Sequence, residues 1–266
     1  MSLQLVLVEP AGPLNVGSVA RLCANFGIGA LRLVAPRCDH LAPESRRMAV
    51  HGGALLEQAR CFPTLADALA DCGRVVACSG RLEGAPLELE APGPALAWLL
   101  ASRSGVQSGD GDPEAAPAAL VFGREDRGLS NDELLQAGRL LTLCTDPSYP
   151  SLNLSHAVAV VLHMLHGLRP GTPTTGQGPA APAGGPHTPE PEPCPRGVLE
   201  AALADGEALL LEVGFLLPHT AGARMAKLRA LLQRARIRPE EVALLRGMVC
   251  QLRWASRRAC AGDEHH

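Results

Sequence analysis

The chain has 266 residues, is 47% hydrophobic and carries a formal net charge of −3. That length suits one large domain or a domain with a small appendage, and that apolar fraction excludes wholesale disorder. With one Tyr, two Trp and four Phe, little is left for base-stacking platforms, so a nucleic-acid ligand would be held mainly through phosphate and shape.

Apolar, β-branched runs alternate with helical patterns over the first 168 residues. LQLVLVE (3–9) predicts a strand, VGSVARLCANF (16–26) a helix closed by Gly27, and ALRLVA (30–35) a second strand. Helical patterns at 44–50 and 64–72 precede a third strand, RVVACS (74–79). A helix at 94–102 leads into a polar, Gly-rich loop ending near Pro117, followed by a fourth strand, AALVFG (118–123). Ser130-x-x-Glu133 forms a capping box that opens a helix over 130–137. RLLTLC (139–144) is the fifth strand, and 153–168 the last helix of the block. Strands alternating with helices give an α/β domain over 1–168, with a parallel sheet covered on both faces.

Residues 169–196 are mostly Pro, Gly, Ala and Thr without apolar periodicity, which predicts a disordered or extended linker and a tail only loosely coupled to the first domain, without core contacts at the junction. Helical patterning resumes over 197–262, divided by Pro218 and Pro239 into three helices. In the middle one, Met225, Leu228, Leu232 and Ala235 form an apolar stripe, flanked by Arg224, Lys227 and Arg234 on one side and Arg229 and Arg236 on the other. Between His219 and Arg258, ten basic residues face two acids, about +8, which leaves about −11 on the rest of the chain. A basic module on an acidic body predicts a polyanionic partner for the tail, with Arg224, Lys227, Arg229 and Arg234 as contacts.

Nine scattered cysteines without a C-x-x-C pair read as reduced thiols, neither a disulfide framework nor a zinc site, and no metal is expected. The chain runs straight into a strand without the basic segment of a signal peptide, and no stretch reaches the roughly 18 apolar residues of a membrane span. A cytoplasmic protein without membrane contacts is expected.

Ligands of open α/β sheets collect beyond the carboxyl ends of the strands. There the sequence places Asn15, Gly17 and Arg21 after strand one, CSGR (78–81) after strand three, FGREDRGLS (122–130) after strand four and CTDPSYPSLN (144–153) after strand five. Each has a plain structural explanation: Asn15 as a helix cap, Arg21 reaching to solvent, Glu125 paired with Arg124 or Arg127, the glycines in turns. Together they outline one polar, backbone-rich pocket. The dinucleotide, P-loop, nucleophile-elbow and zincin signatures are missing.

N-V-G-S-V-A-R (15–21), L-V-F-G-R-E-D-R-G-L-S (120–130) and S-L-N-L-S-H-A-V (151–158) resemble, in order and spacing, the three motifs of the SpoU/TrmH family of RNA ribose methyltransferases. The tail, with L-E-V-G-F-L-L-P-H-T and M-A-K-L-R-A-L-L-Q-R-A, looks like the C-terminal extension of the TrmJ branch. The resemblance implies a SPOUT fold with a C-terminal trefoil knot, a homodimer with its active site near the dimer interface, and S-adenosylmethionine as cofactor. It implies methylation of a ribose 2′-hydroxyl in tRNA, at the first nucleotide of the anticodon loop, a cytidine or uridine. Another tRNA or rRNA site, or a non-catalytic RNA-binding relative, are the alternatives. Carried over, the cofactor contacts fall on Cys78, Ser79, Gly80, Gly123, Leu143, Pro150, Ser151 and Leu152. The family's essential Arg falls on Arg21, with Asn15 and Asn153 orienting and Glu125 holding either Arg21 or the backbone of the site. Guanidinium groups stay protonated in proteins, which favours a phosphate clamp that polarises the hydroxyl over a general base. Ser155 is assigned to a helical first turn and His156 to core or surface packing.

Overall fold

The structure, a computed structural model, describes residues 2–80, 84–101, 116–146, 148–149, 151–169, 193–235 and 237–263, with the side chains of 259–263 excepted. Arg81, Pro150, Arg236 and most of the expected loop and linker lie outside the described residues.

In chain order the elements are β1 (Leu3–Val8), α1 (Pro13–Asn25), β2 (Ala30–Val34), α2 (Pro43–Ala49), a 3₁₀ turn (Val50–Gly52), α3 (Gly53–Glu57), β3 (Arg60–Phe62), α4 (Leu65–Leu69) and β4 (Arg74–Cys78). β5 (Leu89–Glu90), α5 (Pro92–Leu100), β6 (Ala118–Phe122), α6 (Asn131–Leu134), β7 (Arg139–Leu141) and α7 (Leu154–Gly167) complete the first domain. The tail comprises α8 (Arg196–Glu212), α9 (Pro218–Arg234) and α10 (Pro239–Asp263). The strands form one seven-stranded sheet in the order β3-β2-β1-β6-β4-β7-β5, and every pairing is parallel.

Strand pleating divides the apolar runs between two cores. Leu5, Leu7, Leu120 and Phe122 face α1, α5 and α7, where Val16, Val19, Leu96, Val158 and Leu162 are buried. Their neighbours Val6, Val8, Ala119 and Val121 face α4 and α6 with Leu65, Leu69 and Leu134. Unbroken apolar runs are what two covered faces require. β3 and β5 were not anticipated: both are edge strands of three and two residues, too short to display a period.

The first helix begins earlier than its apolar period suggests, because Pro13 opens α1 behind Gly12 with no side-chain cap. α1 crosses α2 at Gly17, where an added Cβ would lie 2.2 Å from the Ser45 carbonyl oxygen. Overpacking of backbone against backbone cannot relax by a rotamer change. Gly17→Ala is therefore expected to destabilise the domain by about 1–3 kcal/mol, read as a lower urea midpoint at unchanged m-value.

The tail folds around its own core of Leu199, Leu203, Leu216, Met225, Ile237 and Val242, with Leu228 and Leu232 packed against it. Ala235, expected in that stripe, is exposed. The junction also differs from the expected loose coupling. The Arg196 N–H donates to the Cys72 carbonyl (3.1 Å) and the Gly197 N–H to that of Ala70 (3.0 Å). Buried Gln233 on α9 donates to the Leu135 carbonyl (3.2 Å). The Arg196 side chain is buried close enough to Trp98 and Gly138 that a Cβ on Gly138 would come within 2.8 Å of the indole and 2.9 Å of the guanidinium. Burial pushes the Arg196 guanidinium down to about 10. The tail is seated on α4, α6 and the start of β7.

Candidate active site

β1 ends in Glu9, which adopts φ +45°, a left-handed conformation uncommon outside glycine. Its carboxylate pairs with Arg37 and with buried Arg124, which ties the loop after β6 to the end of β1. That loop doubles back on itself: Arg124 and Gly128 form an antiparallel bridge. Gly123 sits so close that a Cβ would lie 2.4 Å from the Gly128 carbonyl carbon. Glycine is required there by backbone proximity.

The doubled loop presents Glu125 to the start of α1. Its carboxylate accepts from the backbone N–H of Ala11 (3.1 Å) and Gly12 (3.2 Å) and from Asn15 Nδ2 (3.1 Å). Asn15 Oδ1 in turn accepts from Asn153 Nδ2 (3.2 Å). Asn153 caps α7, its Oδ1 accepting from the Ser155 N–H (2.9 Å) and hydroxyl (2.8 Å). Both amide orientations follow from the ends of this relay. An ionised carboxylate only accepts and a backbone N–H only donates, so each Asn must present its oxygen towards Ser155 and its NH₂ towards Glu125. Among the described residues, no second acceptor takes the remaining N–H of either amide.

Burial alone would push the Glu125 carboxyl up, but the hydrogen bonds from Asn15, Ala11 and Gly12 outweigh it and hold it below its ordinary 4.5. A depressed carboxylate contributes stability that is complete above the unfolded value and lost as pH falls through the folded one. The urea midpoint should therefore decline on acidification below about pH 4.5, with a smaller decline in Glu125→Gln, which has no charge there to lose.

Asn15, Glu125 and Asn153 are thus brought together. Arg21 is not part of the relay: it lies almost two turns further along α1, exposed, and no hydrogen bond or ion pair reaches it among the described residues. Of the two tasks expected for Glu125, it holds the backbone and Asn15, not Arg21.

Cys78, Ser79, Gly80, Gly123, Leu143, Ser151 and Leu152 all line one cavity of about 320 Å³, floored by Phe122, Leu129, Leu154 and Ala157. This lies within the range of small-ligand pockets, and apolar walls with a few backbone-rich turns suit a nucleoside. Burial pushes the Cys78 thiol up to about 12, so it is wall, not nucleophile. A second cavity of about 630 Å³ adjoins the first, sharing Glu125, Thr145, Ser151 and Leu152 and adding Asp146, Tyr149, Asn153 and His156. His156 therefore faces this cavity and not the core, as its place outside the apolar stripe of α7 allows. Ser155 occupies the first turn, as expected, and also orients Asn153. Tyr149 carried no periodic signal in a turn.

On α9, Arg224, Lys227 and Arg234 are exposed. Arg229 is different: it makes a two-pronged pair with Glu200 (3.0 and 2.8 Å), both partners largely buried, and so clamps α9 to α8. Among the described residues no cluster of three His, Cys, Asp or Glu is placed to hold a metal ion, and no helix is long and apolar enough to cross a membrane.

A fully parallel sheet, with two adjoining cavities lined from the loops at its strand ends and a helical appendage, defines an α/β domain with a small-ligand site beyond the carboxyl ends of its strands. The chain belongs to the SpoU rRNA Methylase family, whose model matches residues 2–163, and to its TrmJ branch, since residues 196–264 match the C-terminal domain of the tRNA methyltransferase TrmJ. It is 34% identical over 259 residues to the tRNA (cytidine/uridine-2′-O-)-methyltransferase TrmJ of Cronobacter sakazakii, covering 94% of this chain and 96% of that protein. With the enzyme of that name from Klebsiella pneumoniae it shares 35% identity over 253 residues, with the same coverage of both chains. The crystal structure of TrmJ from Z. mobilis superposes with a TM-score of 0.77 at 30% identity, over 95% of this chain and 100% of that one.

Proposed function

We propose that the protein transfers a methyl group from S-adenosylmethionine to a ribose 2′-hydroxyl of tRNA, at the cytidine or uridine that opens the anticodon loop. The observation that carries this reading is the Glu125–Asn15–Asn153 relay, in which Glu125 lines both cavities and Asn153 the larger one. The smaller cavity suits the cofactor, and the larger one the methyl-accepting nucleotide.

Bound there, S-adenosylmethionine supplies an electrophilic methyl, and the protein must orient a hydroxyl towards it and stabilise the charge that develops. Catalysis of this kind is positioning and electrostatics. The spare amide N–H groups of Asn15 and Asn153 donate to the attacking ribose oxygen as it becomes anionic. Glu125 fixes both amides and the α1 entry loop. Both Glu125 oxygens are taken up by Ala11, Gly12 and Asn15, so the carboxylate serves to position, and the hydroxyl proton leaves to phosphate or water. Arg21 supplies a permanent cation for the phosphate beside the target ribose. Loops of the family's trefoil knot would hold the cofactor, with Pro150 among them.

A homodimer fits the exposed apolar residues Val160 and Met164, one turn apart on α7, and Leu14 on the adjoining α1. A second copy would cover them and close the site region. The protein is read as cytoplasmic, a reading with which a tRNA substrate agrees.

The test is calorimetry with S-adenosylhomocysteine in excess chelator, followed by mass spectrometry of a tRNA transcript incubated with protein and S-adenosylmethionine. Expected are metal-independent binding and one 2′-O-methyl nucleoside at the start of the anticodon loop. Binding restored only by a divalent ion, or methylation elsewhere, would overturn the corresponding part.

A further inference from the structure

The chain is poor in aromatics, yet two of them stand out of the surface at one end of the tail. Phe215, in the α8–α9 turn, is 63% exposed, and Trp254, on α10, is 57% exposed. The turn is built to present the first. Gly214 adopts φ +74° and the Leu216 N–H returns to the Leu210 carbonyl (2.9 Å), so Leu216 enters the core while Val213, Phe215 and Leu217 point outward. Arg224 holds the result: its Nη1 donates to the Phe215 carbonyl (2.9 Å) and its guanidinium lies 5.8 Å from the ring centroid.

The second aromatic belongs to the same end. Glu212, the last residue of α8, pairs with Arg253 (3.7 Å) and Arg257 (3.2 Å), which draws this stretch of α10 to the turn. Between them Trp254 carries the Arg258 guanidinium 5.0 Å from its ring. Two exposed rings are thus each accompanied by a cation, and the acid between them is neutralised by two arginines.

We propose that this end of the tail, Phe215 with Arg224 and Trp254 with Arg258, is a stacking surface for unpaired nucleotides of the RNA substrate. Charge decides between occupants. A second copy of the same surface would set like charges against each other, and an apolar protein partner would bury guanidinium groups without compensation. A single-stranded nucleic acid meets both requirements, because every base has a face to stack and every linkage has a phosphate for the flanking cation. The surface rests on the RNA-methylating reading above but goes beyond it, since base stacking and not phosphate attraction alone would hold the loop.

The experiment measures binding of whole tRNA and of a blunt RNA duplex to the full chain by fluorescence anisotropy at several salt concentrations. Phe215→Leu keeps apolar area but removes the ring. It should weaken tRNA binding by about five- to a hundredfold, leave the duplex unaffected and leave the salt slope unchanged, because stacking releases no counterions. Phe215→Trp should restore the affinity. Arg224→Gln, by contrast, should lower the slope by about 0.7–0.9. Unaltered tRNA affinity in Phe215→Leu, with the parent protein binding normally, would overturn the stacking surface and leave the methyltransferase reading intact. A parent protein that binds no tRNA would instead remove that reading. Loss of dimer mass in Phe215→Leu, seen by sedimentation, would also overturn the proposal by assigning the surface to a second copy.

Discussion

Arg21→Ala is expected to lower methyl transfer by at least about a hundredfold while leaving affinity for S-adenosylhomocysteine within about a factor of two. Nothing in the fold depends on this side chain: it is exposed on α1, and among the described residues it is joined by no hydrogen bond or ion pair. It lines neither of the two cavities. A permanently charged group on the helix that carries Asn15, without a partner among the described residues, is available to an anionic ligand, and its contribution should appear in the transition state. Arg21→Lys separates two forms of that contribution. If point charge is enough, the Lys variant recovers most of the rate; if the planar fork grips two phosphate oxygens, it stays near the Ala variant. Single-turnover rates with tRNA and calorimetry with S-adenosylhomocysteine check both. Parallel loss of rate and cofactor affinity would make Arg21 a structural residue.

The sheet was legible because its central strands are buried on both faces, and a run such as AALVF (118–122), bounded by Pro117 and Gly123, is too short for a helix and reads as a covered strand. The capping box at Ser130 was legible because it is local: the Ser130 N–H donates to Glu133 (2.6 Å) and the Glu133 N–H to Ser130 (3.3 Å). The cap that Asn153 makes on α7 is equally local, its Oδ1 accepting from the Ser155 N–H two residues on. What the sequence hides is pairing across distance. Asn15 looked like a cap and is the third residue of α1, its amide spent on Glu125, 110 residues away. Arg229 looked like one more surface cation, yet it faces Glu200, 29 residues back, and no helical period reports which charge a neighbouring helix supplies. The seat of the tail was hidden likewise. A Pro/Gly linker says how a chain is tethered but not that Arg196 and Gln233 fit a groove of the first domain.

Truncation after Gly167 is expected to weaken tRNA binding by well over tenfold and to flatten its salt dependence. The tail presents Lys227, Arg234, Arg238 and Arg258 to solvent, with Arg224 beside Phe215. Each phosphate contact removed should lower the slope of log K against log salt by about 0.7–0.9. Neutralising Lys227 and Arg234 should reproduce part of this loss with stability unchanged. Arg229→Gln should do the reverse, lowering the unfolding midpoint through its broken pair with Glu200 and affecting the slope little. The truncated domain retains both halves of the sheet core and should still bind S-adenosylhomocysteine. Its midpoint should nevertheless fall, because the cut bares Trp98 and strips the Ala70, Cys72 and Leu135 carbonyls of their partners from the tail. Titrating tRNA into the full chain, the fragment and the two variants at several KCl concentrations checks the assignment. A fragment that binds tRNA as tightly as the full chain, with an unchanged slope, would transfer recognition to the first domain and leave the cations of α9 and α10 as a solvated face.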